Sequence, residues 1–284
     1  PMPMDKEIKL YTGTGNPELS QRIADILHLE LQGLTTEKFA NGETYARFTE
    51  SVRGDDVFFI QTMAGENVND LIMETLIVAD AAKRASCRRF TAVIPHYGYA
   101  RQDRKAAPRE PITARLVANL IEAAGIDQVI TVDLHQGQIQ GFFNIPVTHL
   151  TGLYLLGDYF KQKDFDWSQT VVVSPDMGRA KAAKKLSDYL GCEVAIAHKS
   201  RPKHNQAEVM GIIGDIKGKT CIVNDDMIDT AGTLCGSVKK LKEMGAGDIY
   251  VCATHGIFTD PAIQRLEEAP IVECVVTDVI PCEA

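Results

Sequence analysis

The most informative segment of this 284-residue chain is Cys221-Ile-Val-Asn-Asp-Asp-Met-Ile-Asp-Thr-Ala-Gly-Thr233. Its apolar start predicts a strand that ends in two adjacent acids, Asp225 and Asp226, and a helix is predicted to begin near Gly232. Ligands of open parallel sheets bind at the carboxyl ends of strands. A helix N-terminus offers free N–H groups and a partial positive charge to a phosphate. The segment therefore predicts a phosphate site between a strand and a helix.

The predicted site contains two kinds of residue. Some offer hydrogen-bond donors to a phosphate, and the two acids suit a different part of the ligand. Thr230 and Thr233 supply hydroxyl donors. Ala231 and Gly232 let the backbone approach a ligand closely. Two adjacent carboxylates would repel the same phosphate, so the acid pair suits sugar hydroxyls or a divalent cation. The alternative is structural, namely an ordinary strand, an Asx turn and a capped helix.

Short apolar runs alternate with longer helical patterns along the rest of the chain. The runs that predict strands are Val57–Thr62, Phe90–Pro95, Gln128–Leu134, Thr170–Pro175, Cys192–Ala197, Thr220–Asp225, Asp248–Ala253 and Ile271–Val276. The patterns that predict helices are Asn69–Ala85, Ile112–Ala124, Gly178–Leu190 and Gly232–Met244. This order predicts an α/β chain of two tandem domains, residues 1–150 and 151–284, each a mostly parallel sheet flanked by helices.

Composition narrows the range of partners. A net charge of −8 and a pI near 5.4 argue against a nucleic-acid-binding surface, which would be basic. No stretch approaches the roughly 20 apolar residues of a membrane span, and no hydrophobic leader opens the sequence, so we expect no membrane partner. The seven cysteines are scattered without CxxC spacing, which favours reduced thiols in a cytoplasmic protein over a zinc site.

Two further segments carry residues that are suited to binding a charged ligand or a metal ion. They are Tyr99-Ala-Arg-Gln-Asp-Arg-Lys105, followed by Arg109-Glu-Pro-Ile-Thr113, and Asp133-Leu-His-Gln-Gly-Gln-Ile-Gln-Gly-Phe-Phe143. The first places basic residues together in an acidic protein, which suits a polyphosphate and equally suits a solvated loop. In the second, His135 would either join a metal site or cap its strand.

The segment from Cys221 to Thr233 resembles the phosphoribosyl-diphosphate-binding motif of type I phosphoribosyltransferase-like proteins. The other two segments look like the ATP-binding region and the signature of ribose-phosphate diphosphokinases, and the resemblance runs from about Ile8 to Pro281. It implies transfer of the diphosphoryl group of MgATP to the anomeric hydroxyl of ribose 5-phosphate. Two rival interpretations remain, a phosphoribosyltransferase and a catalytically silent partner subunit of the same family.

The resemblance implies roles for residues in the C-terminal half. Asp225 and Asp226 would bind the ribose hydroxyls. The 5′-phosphate would be held by Asp229, Thr230, Ala231, Gly232 and Thr233. The catalytic cations would be Lys199 and Arg201, in a loop Lys199-Ser-Arg-Pro-Lys-His-Asn205 that closes over the reacting phosphates. An exposed basic hairpin is the alternative for that segment.

It implies roles in the N-terminal half as well. Arg101 and Gln102 would contact ATP. A neighbouring subunit's adenine pocket would receive Phe39, Asn41 and Glu43, although composition favours Phe39 as a core aromatic. Mg²⁺ would lie at His135 and at Asp176 of the other half. Ser51 and Arg53 would lie near a regulatory anion site for phosphate and ADP. The family assembly would be a homo-oligomer, a hexamer built from dimers, and the chain would lack the family's usual C-terminal tail.

Four positions differ from the family pattern. Asn224 stands where that pattern has an aliphatic residue. Arg179 replaces the second glycine of the usual Ser-Pro-Asp-x-Gly-Gly run and adds bulk and charge beside the expected diphosphate site. Gln136 replaces a small residue, and Thr148 occupies a position that is usually acidic.

Overall fold

The structure is a computed structural model that describes residues 8–200 and 209–282. It separates into two units, of which the first contains residues up to Leu150 and the segment from Val279, and the second is Thr151–Asp278. The sequence placed residues 279–284 in the second domain. In the structure the Val279 carbonyl accepts hydrogen bonds from Asn16 Nδ2 (3.3 Å) and Thr62 Oγ1 (2.8 Å) of the first unit.

A five-stranded parallel sheet, ordered β1-β4-β5-β6-β7, forms the centre of the first unit. The strands of this unit are β1 Ile8–Thr12, β2 Leu34–Lys38, β3 Thr44–Phe48, β4 Asp56–Ile60, β5 Arg89–Ile94, β6 Gln128–Val132 and β7 Val147–Leu150. Its helices are α1 Pro17–Leu27, α2 Val68–Arg84 and α3 Thr113–Ala123. Phe59, Phe90 and Ile121 are fully buried in its core. The near-continuous burial of β4 is typical of a parallel strand with both faces covered.

Strands β2 and β3 form a separate antiparallel hairpin. The base of the hairpin packs on the core through Leu34 and Phe48, and the Phe48 ring lies edge-on to Tyr11 with centroids 4.9 Å apart. The base is therefore fixed by apolar contacts, while the tip carries Phe39, which is 50% exposed.

The second unit contains a six-stranded sheet, ordered β10-β9-β8-β11-β12-β13. Its strands are β8 Thr170–Ser174, β9 Glu193–Ser200, β10 Val209–Ile213, β11 Thr220–Ile228, β12 Ile249–Gly256 and β13 Glu273–Val276. Its helices are α4 Leu153–Lys161, α5 Ala180–Leu190, α6 Gly232–Glu243 and α7 Ala262–Glu268. All neighbouring strands are parallel except β9 and β10. β11 lies between β8 and β12 in the interior of the sheet. Its carboxyl end is therefore flanked by strands on both sides, at the edge of the sheet where ligands of parallel sheets bind.

The prediction of an α/β chain with two mostly parallel sheets flanked by helices is confirmed. The predicted strands and helices are all present, with ends that differ by a few residues. The hairpin β2–β3 was not predicted, because its half-exposed residues form no apolar run. The edge strand β10 was not predicted either, although its residues are apolar. No helix in the described part of the chain combines the length and the apolar character that crossing a membrane requires.

Candidate active site

The acid pair lies at the carboxyl end of β11. Pairing of β11 with β8 runs from Thr220 to Val223, so both acids lie beyond the last paired residue on that side. Asp226 is buried and Asp225 is partly buried. The Asp226 backbone N–H donates to Asp225 Oδ1 over 2.8 Å, which fixes one oxygen of that carboxylate. The partly exposed Asp225 therefore presents a carboxylate at this edge of the sheet, whereas Asp226 is buried.

The electrostatics of Asp225 are unusual for an aspartate. Burial, together with a hydrogen bond to Asp226 and the charge of that neighbour, raises the pKa of Asp225 from 3.8 to about 7. The Arg179 guanidinium acts in the opposite direction. Two neighbouring acids in a poorly solvated position repel each other when both are ionised. Ligands that donate hydrogen bonds, or that bring positive charge, would relieve this repulsion.

A tight loop joins β11 to α6. Ala231 precedes the helix with φ at 62°, in the left-handed region, and is 6% exposed. Gly232 begins the helix and is exposed together with Thr233. No acidic residue occupies the first turn of α6, so the partial positive charge of its N-terminus is not opposed there. The predicted phosphate residues thus surround a helix N-terminus, as the sequence indicated.

A residue that sequence reasoning missed also contacts this loop. Arg265 of α7 donates from Nη1 to the Thr230 carbonyl over 3.0 Å. A Cβ atom on Gly232 would lie 3.0 Å from the same Nη1, so glycine leaves room for the guanidinium. No local pattern links the arginine and the threonine, which are 35 positions apart.

The turn after β8 places Arg179 beside the acid pair. The Asp176 carboxylate is exposed and accepts from the Arg179 backbone N–H over 3.0 Å. The Arg179 side chain extends to β11, where Nη2 donates to Asn224 Oδ1 (3.2 Å) and Nε lies 4.0 Å from Asp225 Oδ1. Asp176, Arg179 and the acid pair are therefore neighbours at one edge of the second unit's sheet.

Lys199 lies in a strand and not in the predicted loop. β9 continues to Ser200, and Lys199 pairs with Met210 of the antiparallel strand β10. The prediction of a loop from Lys199 was wrong at its first two residues, because this pairing extends the strand. The Lys199 side chain is exposed. Arg201 and the rest of the predicted loop lie outside the described residues.

The three residues predicted to reach a neighbour's adenine pocket share the tip of the β2–β3 hairpin. Asn41 Nδ2 donates to Glu43 Oε2 over 3.0 Å, and the Glu43 backbone N–H donates to Asn41 Oδ1 over 3.1 Å. The Phe39 ring is tilted against Tyr45 with centroids 5.7 Å apart. Phe39 is therefore a surface aromatic of the hairpin and not a core residue.

The predicted ATP segment forms the long connection between β5 and α3. Arg101 and Gln102 are both exposed. Gln102 is tied to the start of α3, because its side-chain oxygen accepts from Thr113 Oγ1 (2.6 Å) and its carbonyl accepts from the Ala114 N–H (3.0 Å). Arg101 thus adjoins an anchored residue on an exposed surface, where a charged ligand has access.

His135 follows β6 in a constrained stretch of backbone. Asp133 has φ at 42°, and the Leu134 N–H donates to His149 Nε2 over 2.9 Å. The other ring nitrogen of His149 lies 3.2 Å from Gln140 Nε2. His149 was not singled out from the sequence, yet it orients the backbone that carries His135. Among the described residues, no group of three or more His, Cys, Asp or Glu side chains is placed to hold a metal ion.

The predicted regulatory residues lie in the turn between β3 and β4. Ser51 Oγ accepts from the Arg53 backbone N–H over 3.3 Å, and both residues are exposed. Gly54 follows with φ at 75°. The two residues therefore lie in one exposed turn of the first unit.

Comparison with known proteins shows the family to which the chain belongs. Residues 8–125 match the N-terminal domain of ribose phosphate pyrophosphokinase, and residues 201–284 match the phosphoribosyl synthetase-associated domain. A ribose-phosphate pyrophosphokinase from Clostridium acetobutylicum is 51% identical over 98% of this chain and 87% of its own length. The chain belongs to the ribose-phosphate pyrophosphokinase family. The relative from Bacillus subtilis is 49% identical over 97% of this chain and 86% of its own length.

A solved member of this family has a similar structure. The phosphoribosylpyrophosphate synthetase from Mycobacterium smegmatis superposes with a TM-score of 0.91 at 46% identity, covering 97% of this chain and 90% of that one. The family membership inferred from the three sequence segments is thus confirmed over nearly the whole chain.

Proposed function

We propose that this chain is a ribose-phosphate diphosphokinase that transfers the β,γ-diphosphoryl group of ATP to the anomeric hydroxyl of ribose 5-phosphate, releasing AMP. The observation that carries the proposal is the acid pair of β11, which leads directly into a helix N-terminus within a chain of this family. Such a site binds a sugar phosphate at both ends, through its hydroxyls and through its phosphate.

The geometry of the β11–α6 connection supports the proposed binding of ribose 5-phosphate. Asp225 and Asp226 accept hydrogen bonds from the two ribose hydroxyls. The 5′-phosphate receives donors from the backbone and the hydroxyl groups of Asp229, Thr230, Ala231, Gly232 and Thr233. The exposed positions of Gly232 and Thr233 and the unopposed helix N-terminus support this assignment.

The reaction itself requires alignment and charge compensation. The anomeric oxygen attacks the β-phosphorus, a bond forms to that oxygen, and the bond from the β-phosphorus to the AMP oxygen breaks. Negative charge builds on the phosphoryl oxygens, so positioned cations stabilise the transition state. Lys199 and Arg201 supply this charge, and the exposed position of Lys199 near the end of β9 supports its role.

ATP is held by residues of the first unit. Arg101 and Gln102 contact the nucleotide, and the anchoring of Gln102 to α3 lowers the entropy lost on binding. Phe39, Asn41 and Glu43 of a neighbouring subunit reach the adenine. The half-exposed aromatic ring and the hydrogen-bonded turn at the hairpin tip support such a contact, and with it assembly as a hexamer built from dimers.

Mg²⁺ is the ion that we propose for Asp176 and, at a separate site, for His135. Mg²⁺ is usually held by one or two carboxylates together with substrate phosphates and water. The exposed Asp176 carboxylate would hold one ion in the second unit. The His135 imidazole would lie at another cation site, in the first unit. When bound, Mg²⁺ would neutralise charge on the phosphates of ATP. Ser51 and Arg53 would hold a regulatory anion, either phosphate or the phosphate groups of ADP.

The test is a mixture of purified protein with MgATP, ribose 5-phosphate and inorganic phosphate, followed by phosphorus NMR. AMP and 5-phosphoribosyl 1-diphosphate should appear in equal amounts. Binding of both substrates without products would contradict the proposal and favour a silent partner subunit. Product formation only with a nucleobase and a preformed sugar diphosphate would favour a phosphoribosyltransferase.

A further inference from the structure

Two residues that differ from the family pattern contact each other in the structure. Arg179 and Asn224, 45 positions apart in the chain, are two of the residues that differ from the pattern that the sequence resembles. Arg179 Nη2 donates to Asn224 Oδ1 over 3.2 Å. β8 and β11 are adjacent, so the turn that follows β8 faces the end of β11. The two departures therefore form one structural unit at the acid pair.

Asn224 fixes the Arg179 guanidinium and does not contact a bound substrate itself. Its side chain is 1% exposed, so a substrate in solvent has no access to it. The amide is hydrogen bonded at both ends, because its oxygen accepts from Arg179 and its nitrogen donates to Cys252 Sγ over 3.4 Å. A buried amide keeps one orientation when both ends are bonded. This fixed orientation aims the arginine toward Asp225.

The charge that Arg179 brings acts on the more accessible acid. Its Nε lies 4.0 Å from Asp225 Oδ1, and its side chain is only 22% exposed, which limits screening by water. Among the described residues whose charge acts on Asp225, Asp226 on the same strand adds negative charge, and the Cys252 thiol on β12 is held neutral by its burial. The exposed Asp176, which accepts from the Arg179 backbone N–H, is a further carboxylate at this edge of the sheet. Arg179 brings positive charge to these acids.

We propose that Arg179, fixed by Asn224, is a positioning residue that holds the Asp225 carboxylate in place as the acceptor for the hydroxyls of ribose 5-phosphate. The inference rests on the proposed function, because it assigns Asp225 to the sugar. A guanidinium is suited to this task, since it remains charged at any working pH and donates from a rigid plane. It acts on the sugar subsite.

The experiment compares Arg179→Gln, Arg179→Lys and Asn224→Leu with the unmodified chain. The KM for ribose 5-phosphate at saturating MgATP and the pH profile of kcat/KM are measured, and sugar binding without ATP is measured by calorimetry. Arg179→Gln should raise the KM for ribose 5-phosphate about 10-fold at pH 7 and move the acid limb of the profile upward by about one unit. Arg179→Lys should restore most of the loss, and Asn224→Leu should show a smaller change in the same direction.

Lys219→Gln is the matched control. This lysine is 12% exposed and pairs with Glu193 over 3.1 Å, but it precedes β11 and lies at the opposite end of the strand. Its variant should leave the KM and the pH profile unchanged.

The outcomes separate this inference from the proposed function. A chain that forms no product in its unmodified state contradicts the proposed function. An active chain whose Arg179→Gln variant keeps both the KM for ribose 5-phosphate and the acid limb overturns the role of Arg179. If that variant does not fold, Asn224→Leu decides by the same two measurements.

Discussion

The Arg265 guanidinium on α7 donates a hydrogen bond to the backbone carbonyl of Thr230 across 3.0 Å. This contact joins a helix late in the chain to the loop that precedes α6. The loop residues on either side of the carbonyl carry the predicted phosphate contacts. Their arrangement therefore depends on a side chain that lies outside the motif.

Arg265→Ala should loosen the connection between β11 and α6 without removing any of the residues proposed to bind phosphate. Loss of one hydrogen bond of about 1 kcal/mol should raise the KM for ribose 5-phosphate about five-fold, with kcat and the KM for ATP unchanged. Steady-state kinetics with each substrate varied in turn measure this. Gln264→Ala is the control, since Gln264 is an exposed neighbour that bonds Glu268 within the same helix. Equal KM values for ribose 5-phosphate in the two variants would contradict a role for the Arg265–Thr230 contact in sugar binding.

Lys199→Ala should lower turnover far more than sugar binding. A cation that acts on the transition state contributes to kcat, so we expect kcat to fall about 100-fold or more while the Kd for ribose 5-phosphate stays nearly constant. Single-turnover kinetics and calorimetry give the two quantities. Lys239→Ala removes another exposed lysine of the same unit and should change neither. A loss confined to binding would contradict a role in the transition state.

Sugar binding should depend on pH through Asp225. Its pKa of about 7 means that the acceptor carboxylate is lost as pH falls through 7, so affinity for ribose 5-phosphate in metal-free buffer should drop below that pH. Calorimetry from about pH 5.5 to about pH 8.5 measures how the affinity for ribose 5-phosphate changes. A flat profile would show that Asp225 is ionised throughout or does not contact the sugar.

The same shift predicts an opposite effect on stability. The folded pKa of Asp225 lies above its unfolded value, so the folded state binds more protons between about pH 4 and pH 7 and stability falls as pH rises across that window. Asp225→Asn removes the charge and keeps the acceptor for the Asp226 N–H. It should raise the free energy of unfolding at pH 8 by about 2 kcal/mol while abolishing sugar binding. Chemical denaturation of both proteins at pH 5 and at pH 8 tests this, because the gain should shrink at the lower pH.

Phe39→Ala should affect ATP and leave the fold intact. The ring is half exposed at the hairpin tip, so its removal should change the unfolding free energy by less than about 0.5 kcal/mol. If the ring contacts adenine in a neighbouring subunit, the KM for ATP should rise about 10-fold, as expected when an aromatic contact is lost. Ile26→Ala, at a position 76% exposed on α1, is the control. An unchanged KM for ATP would remove Phe39 from the nucleotide site.

Some of the molecule followed from local sequence. β11 and α6 were predicted within three residues at each end, because a buried parallel strand is a continuous apolar run and an amphipathic helix has its own period. The connection between β11 and α6 was predicted for a similar reason, since its acids, hydroxyls and glycine are neighbours in the chain. The hairpin β2–β3 escaped prediction because its alternating half-exposed residues carry little apolar signal.

Tertiary packing alone determined the contacts between residues that are distant in the chain. Arg179 and Asn224 were each visible as departures from a pattern, but their contact exists only because β8 and β11 are neighbours in the sheet. Arg265 reaches Thr230, and Val279 joins the first unit, for the same kind of reason. Residues that are close along the chain reveal themselves through spacing and periodicity. Residues brought together by strand order leave no such trace, because the adjacency of two strands is set by burial of the whole sheet and not by either segment.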